Sequence, residues 1–292
     1  MKSVERLFTG HRRIFAALVP ILLSLAFLVQ PPLIWQIIAL GPLVALLGLP
    51  HGALDKEVAS ALFPLVRPFH HIIFVVVYMV LALAVVALWV LQPSMALGAF
   101  LIYSALHFAD DWRQDLGPWK SLPLGVSVIA LPALVFQSDV AMLFGLLSSQ
   151  PTGNQFADLL HTIAIIAICV SVLCLALNVR RSTWVVVEYA LLVTTALITP
   201  PLIYFVIYFC GLHSPRHFLL TAEQLGLTPV EGLRAAAPII GATLLFAAFG
   251  TAAVYAFAET LEAATLQVVF IGLAALTVPH MILTAMFRSA HN

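Results

Sequence analysis

Charge is what this 292-residue sequence has least of. Only 9% of its residues are Asp, Glu, Lys or Arg, and 13 basic side chains balance 13 acidic ones, where a soluble domain carries about a quarter. No basic face is available for nucleic acid, and no element for recognising a soluble protein is visible. Cysteine is scarce too. Cys169, Cys174 and Cys210 sit inside apolar runs without CxxC spacing, which argues against a disulfide framework or a thiolate metal site and leaves them as packing residues. Low-complexity linkers and internal repeats are also missing, so a single domain spanning 1–292 is expected. The polar, basic start MKSVERLFTGHRR leads into an apolar run with no small-residue cleavage site. That pattern reads as a retained first helix and not as a removed signal peptide.

What fills the sequence is apolar: 62% of residues are hydrophobic and the mean hydropathy is +1.08. This is the composition of a multi-pass integral membrane protein of the cell membrane, in a bacterium the inner membrane. Hydropathy places helices near 14–30, 33–52, 71–91, 94–112, 121–137, 156–178, 183–198, 201–219, 233–257 and 263–287. The predicted fold is thus an all-α bundle of about ten transmembrane helices. Lys and Arg concentrate in cytoplasmic loops. With the N-terminus inside, the cytoplasmic connections carry Lys56 and Arg67, Arg113 and Lys120, Arg180 and Arg181, then Arg216 and Arg234, with Arg288 near the end. The opposite connections carry none, so both termini are expected on the cytoplasmic side. The stretch 138–155 has room for a short re-entrant or interfacial helix that leaves the count unchanged.

This topology sorts the histidines by depth. His51 in GLPHGALD, His107 in SALHFADDW, His213 and His217 in GLHSPRH, and His280 in TVPHM fall in one layer at the cytoplasmic ends of four helices. His161 lies on the other side, His11 and His291 in tails, and His70 and His71 at headgroup level. A lone histidine in a helix is commonly a hydrogen-bonded packing residue. Five at one depth are different, because ionisable groups in a bilayer need partners and several neutral imidazoles can be satisfied together by a transition metal.

Local context adds detail. His213 and His217 share a face if the helix is unbroken. Pro215 either kinks that helix, or follows Ser214 as an N-cap and opens a new one with His217 in its first turn. Asp55, four residues after His51, either orients that imidazole or pairs with Lys56 at the interface. Asp110 and Asp111 follow His107 by three and four positions, so one can support the histidine while the other faces water. Arg216 reads first as a topogenic or headgroup-anchoring residue, with support of a neighbouring histidine as the second reading. Tyr204 and Tyr208, one turn apart and leading toward His213, together with Phe108 and Trp112 beside His107, are candidate contacts for an apolar substrate.

GLPHGALD, SALHFADDW, GLHSPRH and TVPHM together resemble the Brp/Blh family of bacterial and archaeal β-carotene 15,15′-dioxygenases, from the second helix to the tenth. The resemblance implies an iron-dependent membrane enzyme that cleaves β-carotene with O2 to two molecules of retinal. It also implies Fe(II) held by His51, His107, His213 and His217, with His280 near the iron or the substrate, and a functional link to a retinal-binding rhodopsin. Two other classes compete. A divalent-metal or proton-coupled transporter would also place histidines and acids between helices, but no repeat of broken helices is evident. A membrane desaturase would carry further HxxHH-like boxes, and none is present.

Overall fold

The computed structural model describes residues 2–63, 67–178, 183–258 and 260–291. Arg180 and Arg181, and the side chains of Lys2, Arg6, His51 and His291, lie outside the described residues. Every regular element among those residues is helical. In chain order they are α1 (Lys2–Val29), α2 (Leu33–Leu43), α3 (Asp55–Leu62), α4 (Pro68–Leu91), α5 (Pro93–Ala109), α6 (Arg113–Leu116) and α7 (Pro118–Ala130). Then follow α8 (Gln137–Leu147), α9 (Gln150–Ala176), α10 (Thr183–Ile198), α11 (Pro201–Tyr208), α12 (Ser214–Gln224), α13 (Pro229–Tyr255) and α14 (Leu261–His291). Single π-helical turns at Val44–Gly48 and Phe209–His213, and 3-10 turns at Leu49–Leu54, Asp110–Trp112 and Leu131–Leu134, connect several of them.

Among the described residues, five helices are long and apolar enough to cross a membrane: Leu7–Val29, Phe69–Leu91, Gln150–Ala176, Pro229–Tyr255 and Leu261–Ala290. The number rises to seven if two bent pairs count as spans, Leu33–Gly48 with Gly52–Leu62 at 43° and Pro118–Leu134 with Gln137–Leu147 at 106°. Ten were expected from hydropathy. The difference has a physical origin, because the apolar stretches at 94–112, 183–198 and 201–219 are built from short or interrupted helices. The 106° bend delivers α8 as a short helix inside the stretch 138–155.

Packing inside the bundle relies on small residues, as membrane helices require when lipid offers no hydrophobic drive to associate. A Cβ on Gly125 of α7 would stand 2.3 Å from the Ala105 carbonyl oxygen and 2.6 Å from the Ala109 nitrogen. The α5 backbone is therefore in direct contact with α7, along an Ala-xxx-Ala seam that ends just past His107. A Cβ on Gly153 of α9 would likewise meet the Ala141 carbonyl oxygen of α8 at 2.3 Å. Large apolar side chains such as Phe246, Phe249, Val90 and Ile102 point outward and are exposed, as a lipid-facing surface would have them. A capping box between Thr228 and Glu231 starts α13, which packs against the 49–54 turn.

Candidate metal centre

His107 stands in the last turn of α5 and is buried. The 3-10 turn Asp110–Trp112 ends that helix immediately beyond it. The π-turn Phe209–His213 widens the chain before α12, so His213 closes the turn and Ser214 and Pro215 form the first turn of α12. Neither arrangement expected for Pro215 is quite what is built. The helix restarts at Ser214, but the N-cap position is His213 and makes no side-chain cap bond. π-turns of this kind recur at functional sites. Here the turn packs on its counterpart at Val44–Gly48, where a Cβ on Gly48 would stand 2.5 Å from the ring of Phe209. His280 follows Pro279 inside α14.

These elements bring four imidazoles together. The ring of His107 lies 4.8 Å from that of His213, 5.6 Å from His217 and 5.5 Å from His280, and His217 lies 5.0 Å from His280, centroid to centroid. Ligand nitrogens of His107, His217 and His280 all fall within 4.8 Å of one another. Three of the rings are engaged at Nδ1. His213 Nδ1 is 3.1 Å from Asp111 Oδ1, His280 Nδ1 is 2.7 Å from Asp55 Oδ1, and His217 Nδ1 is 3.3 Å from the Thr221 hydroxyl. Fixing Nδ1 sets the ring plane and makes Nε2 the coordinating atom. An all-imidazole donor set at this spacing, mostly buried and with two of its four rings held by carboxylates, fits a transition metal ion and not a hard, oxygen-preferring one.

The carboxylates are themselves held. Tyr78 of α4 donates its hydroxyl to Asp55 Oδ2 at 2.9 Å, and Tyr208 donates to Asp111 Oδ2 at 2.7 Å. Arg216 donates to the Asp111 backbone carbonyl at 2.9 Å and to Glu188 of α10 at 2.5 Å. Glu188 also takes the Trp112 indole N–H at 3.1 Å and lies 3.2 Å from the Arg12 guanidinium of α1. Arg12 pairs with Asp115 as well. Arg216 and Glu188 are each 1% exposed, so each charge depends on the other for its solvation. His11 of α1 adds a contact of 2.9 Å to the Gly211 carbonyl, inside the π-turn.

Compared with the sequence expectations, His107, His213, His217 and His280 come together, and His280 belongs to the close trio. His51 lies in the 3-10 turn Leu49–Leu54, and its side chain is outside the described residues. That turn does reach the cluster: a Cβ on Gly52 would stand 3.9 Å from His280 Nδ1. Asp55, expected to orient His51 or to pair with Lys56, supports His280 across 225 positions; the side chain of His51 lies outside the described residues. Two assignments need correction. Asp110 pairs with Arg113 and Arg288, and it is Asp111 that holds a histidine. Arg216 is buried in the ion pair with Glu188 and does not anchor to headgroups. Tyr204 and Tyr208 are both buried, with the Tyr204 hydroxyl donating to the Val128 carbonyl at 3.1 Å, and both line an apolar cavity. Trp112 is fully buried behind the cluster. His161 stays apart from it, against the Ala133 carbonyl. Sequence reasoning passed over Glu188 and Tyr78. Glu188 did carry a signal, since it is the one charged residue in TWVVVEYALLVTTALI, and an ionisable group in an apolar helix implies a partner.

Comparison with known proteins identifies the family. The family model described as beta-carotene 15,15'-dioxygenase matches residues 42–288. A curated protein named beta-carotene 15,15'-dioxygenase, from uncultured marine bacterium 66A03, is 33% identical over 264 residues, covering 86% of this chain and 93% of the relative. No solved structure matches. The imidazole cluster and both its carboxylate supports lie within the matched region, and the chain belongs to the β-carotene 15,15′-dioxygenase family.

Proposed function

We propose that this chain cleaves β-carotene with O2 at the central 15,15′ double bond, giving two molecules of retinal. It would use Fe(II) held by His107, His217 and His280, with His213 beside them. The observation that carries this reading is the buried meeting of imidazoles from α5, α12 and α14 in a chain of this family. The name of the marine relative supplies the substrate and the bond.

Bound iron would supply the redox chemistry that allows dioxygen to react with a closed-shell polyene. The side chains provide the rest. Asp55 and Asp111 hold Nδ1 of His280 and His213, so the rings keep one tautomer and one orientation. Tyr78 and Tyr208 donate to those carboxylates, and Arg216 holds the Asp111 backbone carbonyl. Apolar walls exclude water, and seating the central double bond beside the imidazoles selects it from its conjugated neighbours. No protein nucleophile is required and no proton is gained or lost. The C15=C15′ and O–O bonds break, two C=O bonds form, and both oxygen atoms end in the aldehydes.

The test is anaerobic purification with metal analysis, followed by an oxygen-dependent assay on β-carotene in the presence of 18O2. Bound iron is expected, with retinal that forms only with O2 and label in both aldehydes when exchange is suppressed. Full activity in iron-free protein, or label confined to one fragment, would sink the reading.

The same reading places ten membrane segments in the cell membrane with both ends cytoplasmic. The pairing of Arg12 near the start, and of Arg288 near the end, with Asp115 and Asp110 of one connection supports both ends lying on the same side, while the count of ten rests on hydropathy and the choice of side on the distribution of Lys and Arg. Labelling of a terminal cysteine by an impermeant reagent from outside intact cells would count against it.

A further inference from the structure

Glu188 is the single acid of α10, and three donors converge on it. Arg216 reaches it at 2.5 Å, the Trp112 indole at 3.1 Å and the Arg12 guanidinium at 3.2 Å. These come from α12, from the Asp110–Trp112 turn and from α1, so one carboxylate ties three segments together. Its charge matters as much as its bonds. Arg12 has a second acid, Asp115, whereas Glu188 is the one acid within ion-pair reach of the buried Arg216 among the described residues. The other terminal nitrogen of Arg216 donates to the Asp111 backbone carbonyl at 2.9 Å. The Asp111 carboxylate is engaged elsewhere, by His213 Nδ1 at 3.1 Å and by the Tyr208 hydroxyl at 2.7 Å. A buried cation is thus bonded to the backbone of the residue whose carboxylate fixes a member of the cluster.

We propose that Glu188 is a positioning residue for the metal centre: it holds the Arg216 charge away from the Asp111 carboxylate, which is thereby left to His213. This rests on the metal-centre reading and adds to it the residue that decides which partner Asp111 takes. A guanidinium in a low-dielectric interior needs an anion. With Glu188 neutral, the acids whose charge still reaches Arg216 are Asp111 and Asp115, and Asp115 is already paired with Arg12. Asp111 is what remains. A guanidinium outcompetes an imidazole for a carboxylate, because it is always charged and its fixed fork of donors matches both oxygens at once. Capture would take Asp111 from Nδ1 of His213, and that ring would lose the bond that sets its plane and tautomer. The hazard is built into the sequence. Arg216 stands three residues after His213 and one before His217, so α12 cannot bring its histidines to the cluster without bringing the guanidinium as well.

The experiment uses the full-length protein in detergent, with 15N-labelled histidine and the metal removed. An Nδ1–H held by a carboxylate gives a proton resonance far downfield, and the one that Asp111→Asn abolishes belongs to the His213 pair. That resonance is expected in the wild type and in Glu188→Asp, which keeps the charge, and it should be lost in Glu188→Gln. It should return in Glu188→Gln/Arg216→Gln, where neither charge is left to interfere. Chelator competition with Co(II) or Fe(II) is the second readout. Glu188→Gln should weaken binding by about tenfold or more, as for loss of a carboxylate on a ligating histidine, and the double variant should bind more tightly than the single one. A strut that acted through its bonds alone would give the opposite order, because the double variant has fewer of them. If Glu188→Gln cannot be isolated folded, the double variant decides: a retained resonance supports the proposal and a lost one overturns it. A resonance that survives in Glu188→Gln, or that single and double variants lose alike, also overturns it. In a wild type that binds no metal the metal-centre reading falls, whereas the same pattern of resonances keeps Glu188 as the residue that reserves Asp111 for His213.

Discussion

Asp55 and Asp111 each lie next to one histidine in sequence and support a different one in space. Asp55 follows His51 by four residues and binds His280, and Asp111 follows His107 by four and binds His213. Replacing Asp55 by Ala should lower metal affinity by roughly 10–100-fold, the usual cost of losing a carboxylate that orients a ligating histidine. Tyr78→Phe, which removes one hydrogen bond to that carboxylate, should cost only about 1 kcal/mol. Competition for iron against a chelator of known affinity measures both, and an Asp55→Ala protein that holds metal like the wild type would refute the assignment. The residue types of the site were legible in the sequence, because histidines and acids stand out in an apolar chain. Their pairing was not. Spacing reports neighbours on one helix, and the partners here arrive from helices about a hundred to two hundred positions away. The choice between Asp110 and Asp111 turns on the 3-10 turn that follows α5, a change of phase that hydropathy does not encode.

At the scale of elements, the position of His107 depends on how closely α5 can lie against α7. Gly125→Ala would drive a methyl group into the Ala105 carbonyl and the Ala109 amide, and backbone atoms cannot rotate away as a side chain can. The expected result is about 1–3 kcal/mol of lost stability, together with weaker metal retention as His107 moves from its neighbours. Thermal unfolding and iron content measure the two effects, and an alanine variant matching the wild type in both would show that the seam has slack. The ten hydropathy segments each contain helix in the structure, since alternation of apolar runs with polar breaks is a long-range, redundant signal. Interruptions within them were harder to read. Pro215 announced a break, but the π-turn at Phe209–His213 is a backbone choice stabilised by contact with the turn at Val44–Gly48, and no residue type dictates it.

For the molecule as a whole, the proposed ligands come from α5, α12 and α14, so a bound ion would cross-link distant parts of one chain. Stripping the metal should lower the unfolding midpoint and re-adding Fe(II) under anaerobic conditions should restore it, since an ion at a hundred times its dissociation constant contributes about 2.7 kcal/mol. An unchanged midpoint, with iron loss verified, would mean that the centre does not brace the fold. That the chain builds helices long and apolar enough to cross a membrane could be read from composition and hydropathy, whereas the contribution of the first helix could not. His11 and Arg12 of α1 reach the π-turn carbonyl and Glu188, yet the family match begins only at residue 42. A protein trimmed to the matched region would retain every proposed iron ligand but lose two struts behind the turn that carries His213. The frontier of shared ancestry and the frontier of the working machine therefore fall at different residues, and anyone choosing where to cut or tag this chain should follow the second.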